Sequence, residues 1–291
     1  MPQIEEDKTV EEFYWDCVRK MSPAERVRQA RRLNVNVWAM VKTQLHEKQP
    51  EYDEMALKFA VAKRFYWNEP DILVILNDAE KNISFKNDKE PIPVNDNTLM
   101  MDLDRTTEKV MTILETTPYP FAVTGGLAAI TYGDPRTTKN IDVIMEIDPR
   151  EVNVADTFFE KFDNDFFFSL KSCREAIEQQ TMFQAVDKET MFKVDFHLSD
   201  LVPGSCTRRR NVRILTGRVV PMVTAEDSIL SKLVWIKLSS DRSRKDVVAI
   251  LRVQTNLDNN YLDTTAEKLG VTKFLKELRI IAESYNPNII L

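Results

Sequence analysis

Residues 124–148 read TGGLAAITYGDPRTTKNIDVIMEID. The chain has six glycines in 291 residues, and three of them, Gly125, Gly126 and Gly133, fall in this stretch. Glycine costs stability in regular structure and is kept where backbone turns tightly or approaches something closely. The preceding YPFAVT has the character of a short strand, and LAAITY that of a helix. A strand that turns through two glycines into a helix presents free backbone N–H groups and the positive end of a helix dipole, which together suit a phosphate. Taken alone, two glycines before a helix are more often just a tight turn.

The next strand, NIDVIMEI, sharpens the choice. Residues i and i+2 of a strand point to one face, so Asn140 and Asp142 point the same way. Downstream, KVDFHL puts Lys193, Asp195 and His197 on one face and Val194, Phe196 and Leu198 on the other. Carboxylates at 142 and 195 on adjacent strands could share a divalent cation, since Mg²⁺ takes carboxylate and phosphate oxygens. Such ions assist phosphoryl transfer. A solvated strand face with scattered charges explains the spacing as well.

Working outward, DLDRTTEKVMTILETT is an amphipathic helix and TMFQAVDKETMFKVDFHL a hairpin turning near DKET. TAEDSILSKLVWIKL and DRSRKDVVAILRVQ are helices, and more helix follows from DNNYLDTTAEKLG. Strands mixed with helices make an α+β or α/β chain. The first 75 residues lack glycine and look helical. Ser22, Pro23 and Glu25 form a helix start with a capping box, and a second helix is expected from about Tyr52 to Trp67. Val27, Ala30, Leu33, Val37 and Val41 then recur at helical spacing, a stripe expected to dock in cis or on a partner chain. Residues 77–98 are polar with two prolines and suggest a linker. The expected organisation is a helical module over 1–75, a linker over 76–98 and an α+β domain with a helical C-terminal part over 99–291.

Bulk composition narrows the classes. Apolar residues make up 43% and charged ones 30%, as in a soluble globular protein. The net charge of −6 gives no global attraction to nucleic acid, although TRRRNVR at 207–213 is a local basic run that could meet phosphates. Cys17, Cys173 and Cys206 are far apart and odd in number, which fits reduced thiols in a cytoplasm. With two histidines, His46 and His197, a zinc site is not expected. The N-terminus lacks an apolar signal core, and no apolar run approaches the roughly 20 residues of a membrane span.

GGLAAITYGDPRTTKNIDVIMEI, KVDFHL and the run from TAEDSILSKL to AEKLGV, in that order over about residues 105–278, resemble the AbiEii/MenT-type nucleotidyltransferases. These belong to the DNA polymerase β-like superfamily and include toxins of toxin–antitoxin and phage-defence systems. The resemblance implies a nucleotidyltransferase-fold mixed sheet with flanking helices, Mg²⁺ or Mn²⁺, an NTP, and an acceptor such as a tRNA end or another RNA. It implies that Gly125 and Gly126 cradle the triphosphate, with Arg136, Lys232 and Asp246 in the nucleotide site. Asp142 and Asp195 match metal-binding and catalytic carboxylates, and Gly125, Gly126, Arg136, Asp142, Asp195 and Lys232 are expected to converge on one cleft. Residues 20–68 resemble the short helical antitoxins encoded beside some of these enzymes. The departure is Asn140: the family's D-x-D becomes N-I-D, so the first catalytic and metal-binding carboxylate is a neutral amide. Asp102, Asp104, Glu146 or Asp148 could compensate. Two readings follow: an NTP-dependent nucleotidyltransferase, or a catalytically degenerate nucleotide- or RNA-binding regulator.

Overall fold

The structure, a computed structural model, describes residues 9–84, 102–214 and 217–284. Along the chain the helices are α1 (Val10–Lys20), α2 (Pro23–Lys48), α3 (Glu54–Phe65), α4 (Pro70–Ser84), α5 (Leu103–Leu114), α6 (Gly125–Tyr132), α7 (Val152–Phe159), α8 (Leu170–Gln179), α9 (Ala225–Lys237), α10 (Arg242–Val253), α11 (Asn259–Leu269) and α12 (Thr272–Glu283). The strands are β1 (Phe121–Thr124), β2 (Asn140–Met145), β3 (Phe166–Phe168), β4 (Met182–Asp187), β5 (Lys193–His197), β6 (Arg210–Arg213) and β7 (Val219–Met222). The fold is α+β, with parallel and antiparallel pairings and flanking helices. No helix among the described residues is long and apolar enough to cross a membrane.

The chain divides into two compact units that interleave in sequence. The first comprises residues 1–30, 122–136 and 200–291; the second comprises 31–121 and 137–199. This differs from the consecutive segments expected from composition, because the N-terminal helices supply core to both units. Helix α4 also runs through residues 76–84, the start of the expected linker; its apolar positions Ile72, Leu76 and Ala79 are buried at helical spacing. Residues 85–98 of that linker lie outside the described residues.

In the first unit β1 pairs in parallel with β7, and β7 antiparallel with β6. Helices α6, α9, α10, α11 and α12 pack around a core that includes Ile229, Leu233, Val247, Ile250, Leu262 and Leu278. Gly133 ends α6 where a side chain has no room: a Cβ there would lie 2.9 Å from the Ala129 carbonyl oxygen and 3.1 Å from the Ile250 nitrogen. Helix α1 docks on α10 through Trp15 and Val18 against Ala249 and Val253. The buried Arg26 guanidinium donates to the Thr131 carbonyl at 2.9 Å.

In the second unit the strand order is β3-β4-β5-β2. β4 and β5 form the expected hairpin, with Gln184 opposite Asp195. β5 and β2 run parallel, with Asn140 opposite Lys193 and Asp142 opposite Asp195. The apolar face of β5 is anchored by Phe196, stacked on Phe183 at 4.8 Å and edge-on to Phe162 at 5.3 Å. Each such buried ring stabilises the unit by about 1.5–3 kcal/mol. That anchoring fixes the strand's alternation and turns the residues of odd number to the opposite face.

The capping box at Ser22 and Glu25 forms, with bonds of 2.6 and 3.3 Å between their side chains and each other's backbone N–H. The apolar stripe on α2 departs from expectation. Leu33 and Val37 are 43% and 39% exposed, and the buried face continues from Val27 and Ala30 through Asn34 and Trp38. A step of four from Ala30 to Asn34 replaces the expected step of three to Leu33, because Asn34 accepts a bond from the Thr138 backbone N–H at 3.1 Å and Trp38 stacks on Phe65 at 3.9 Å.

Candidate functional site

The sequence-expected residues fall into two sets, one in each unit. In the second unit Asn140, Asp142 and Asp195 come together. The Asn140 side-chain nitrogen donates to Asp142 Oδ1 at 2.8 Å and to Asp195 Oδ2 at 2.7 Å. Carboxylates only accept hydrogen bonds, so the amide must turn its NH₂ toward them. Gln184 Nε2 donates to the other Asp195 oxygen at 3.0 Å. His197 Nε2 lies 3.3 Å from Asp142 Oδ1. Lys193, the third residue on that strand face, places its ammonium 3.0 Å from Asp195 Oδ2 and 2.5 Å from Glu69 Oε2.

The electrostatics follow from burial and from these partners. Burial, together with the charge of Asp142, pushes the Asp195 carboxyl above its ordinary range, opposed by Lys193 and Asn140. Burial depresses Lys193, but Asp195 and Glu69 outweigh it and the ammonium is held more firmly protonated than usual. His197 is raised in the same way: burial lowers it and Asp142 more than compensates. The face therefore carries an acid pair that accepts from two amides, with one ammonium shared between Asp195 and Glu69 and the His197 imidazole beside Asp142.

In the first unit Arg136, Lys232 and Asp246 come together. Arg136 grips Asp246 with two bonds of 2.7 and 2.8 Å, and the Lys232 ammonium reaches the same carboxylate at 2.7 Å. Burial opposes ionisation of Asp246, but Lys232 and Arg136 prevail and hold its carboxyl below the usual range. Sequence alone puts Lys232 near the polar side of α9; the structure buries it against this acid. Gly125 adopts φ +61°, a left-handed conformation that explains the glycine. Thr124 makes no side-chain cap to α6.

The acids proposed to compensate for Asn140 are engaged elsewhere or lie away from the pair. Asp102 caps α5 and binds Arg31 at 2.9 Å, Asp104 lies 3.6 Å from Arg31, Asp148 caps a short turn and binds Arg150, and Glu146 is exposed beyond the end of β2. Within the basic run, Arg208 is bound to Asp227 at 2.8 Å, while Arg209, Arg210 and Arg213 are exposed.

A divalent ion such as Mg²⁺ needs several hard oxygen donors converging on one point. The donor set does not fit that need. Asn140 offers its NH₂ to both carboxylates, and the Lys193 ammonium already sits on Asp195. Among the described residues no group of three or more His, Cys, Asp or Glu side chains is arranged to hold a metal ion.

Residues that sequence reasoning missed are Glu69, Gln184 and Tyr66. Gln184 was within reach, since the hairpin register places it opposite Asp195; the others come from a distant helical turn and carry no local signal.

Comparison with known proteins adds three observations. Residues 19–81 match the family model of Rv0078B-related antitoxins. No curated protein sequence matches the chain. Solved structures similar to it include an antigenic nucleotidyltransferase-like protein from Paracoccidioides brasiliensis, at 15% identity over 60% of this chain and 91% of that one, TM-score 0.41. The antibiotic-resistance factor ANT(2'')-Ia is similar at 12% identity over 61% and 89%, TM-score 0.35.

Proposed function

We propose that this chain is a nucleotidyltransferase-like protein that binds an NTP but does not transfer its nucleotidyl group in its native form, acting as a regulator in a toxin–antitoxin-like setting. The observation that carries this reading is the single amide nitrogen of Asn140 donating to both Asp142 and Asp195. A carboxylate at 140 would repel that pair and draw in a cation; the amide satisfies it instead. The Lys193 ammonium, shared with Glu69, adds a positive charge beside Asp195. In this reading Gly125 and Gly126 at the start of α6, with Arg136 and Lys232, receive phosphate oxygens, Asp246 keeping the two cations aligned. The match of residues 19–81 to an antitoxin-related family supports the setting.

A second reading is favoured by a different observation. Asp142 and Asp195 stand opposite each other on parallel strands, and Asp195, with its carboxyl raised, is suited to take a proton from an attacking hydroxyl. On that reading a hydroxyl of an acceptor, an RNA end such as that of tRNA, attacks the α-phosphorus of the NTP, its proton passes to Asp195, and the bond to pyrophosphate breaks as pyrophosphate leaves; Mg²⁺ or Mn²⁺ carried by the nucleotide would screen the phosphate charge. Incubation of the native chain and Asn140→Asp with each labelled NTP, Mg²⁺ or Mn²⁺ and total RNA separates the two. Retention of NTP without transfer by the native chain supports the regulator; transfer at equal rates by both supports the enzyme.

A further inference from the structure

The turn between α3 and α4 lies inside the segment that matches the antitoxin family, and it reaches the acid-bearing strands. The Tyr66 ring is fully buried. Its hydroxyl accepts from the Lys193 backbone N–H at 3.1 Å and faces the carbonyls of Met191 and Lys139, each at 3.1 Å. A phenol has one proton, so the two carbonyls share it. The Lys139 ammonium in turn donates to the Phe65 carbonyl at 3.2 Å. The Tyr66 bonds fall at the residue before β2, at the first residue of β5 and two residues ahead of it. Three residues past Tyr66, the Glu69 carboxylate holds the Lys193 ammonium at 2.5 Å, the same ammonium that lies 3.0 Å from Asp195. Lys193 is thus tied twice to the same turn, by its backbone and by its side chain. A lysine stem is flexible and gives its ammonium no fixed position unaided.

We infer that Tyr66 and Glu69 are positioning residues for the acid pair, fixing the Lys193 ammonium on Asp195 and with it the sharing of the Asn140 amide between Asp142 and Asp195. The antitoxin-like segment is then a built-in part of the site. The inference rests on the acid pair being the functional centre, but its test uses no nucleotide, so a chain that binds no NTP can still pass it.

The test is ¹H–¹⁵N NMR on the full chain, native and as Glu69→Gln, Glu69→Asp and Tyr66→Phe, with thermal unfolding in parallel. A buried, doubly paired ammonium exchanges slowly and gives its own signal. Glu69→Gln is expected to abolish the Lys193 ammonium signal and to shift the Asn140 side-chain amide resonances; Glu69→Asp is expected to restore both in part. Unchanged Lys193 and Asn140 signals in Glu69→Gln, whatever the unfolding midpoint, overturn the inference. Should Glu69→Gln fail to fold, Tyr66→Phe keeps the ring and removes only the hydroxyl. It must then move the Lys193 backbone amide and the Asn140 side-chain signals, and their standing still overturns the inference equally.

Discussion

At position 140 an amide nitrogen stands where a carboxylate oxygen is expected, and the neighbouring acids respond by accepting from it. Replacing it with a carboxylate removes two charge-assisted bonds and adds a third negative charge. Asn140→Asp is therefore expected to gain affinity for Mn²⁺ by at least about tenfold, since cation affinity rises with carboxylate count; titration calorimetry on both proteins checks this. A second residue-scale expectation concerns Asp246. Its folded-state carboxyl titrates below its unfolded value because Lys232 and Arg136 favour the charge. Its contribution to stability is therefore present above the unfolded pKa, near 4, and is lost as pH falls through the lower folded value. Asp246→Asn is expected to lower stability at pH 7 by about 3 kcal/mol, the cost of leaving a buried partner unpaired. The deficit should shrink below pH 4, and urea unfolding at several pH values measures it. Of these residues, Asn140, Asp142, Lys193 and Asp195 were legible in the sequence, because strand alternation assigns a face without any knowledge of the fold. Glu69 and Tyr66 were not, because each meets Lys193 across more than a hundred residues of chain.

Among the elements, those fixed by local chemistry were legible. The β4–β5 hairpin follows from alternation on both sides of DKET, and the start of α2 from its capping box. The buried face of α2 was not, because a polar residue, Asn34, takes a core position to satisfy the Thr138 N–H; a count of apolar side chains passes over it. The extent of α4 was hidden for a related reason: its last turns are polar, and only the burial of Leu76 and Ala79 marks them as helix. The close approach of α6 and α10 gives an element-scale test. Gly133→Ala places a methyl against backbone atoms that cannot move aside, so the two helices must part. A loss of about 1–3 kcal/mol is expected, read as a fall in the denaturant midpoint without change in slope. An unchanged midpoint would show that the contact yields freely.

For the whole molecule, the segment expected as a separate N-terminal module is divided between two units, each of which uses part of it. Helix α1 and Arg26 complete the first unit; Trp38, Tyr66 and Glu69 complete the second. Deleting residues 1–75 is accordingly expected to give an unfolded or insoluble chain, judged by circular dichroism and gel filtration, and not a released enzyme. A folded, monodisperse truncation would show the segment to be a detachable cover. In the proposed function the native acid pair, bridged by the Asn140 amide, does not perform transfer. The most direct measurement is incorporation of labelled NTP into total RNA by the full native chain and by Asn140→Asp, side by side with Mg²⁺, alongside NTP retention by the native chain. Retention without incorporation is expected for the native protein and measurable incorporation for the variant; native incorporation at the variant's rate would overturn the proposed function.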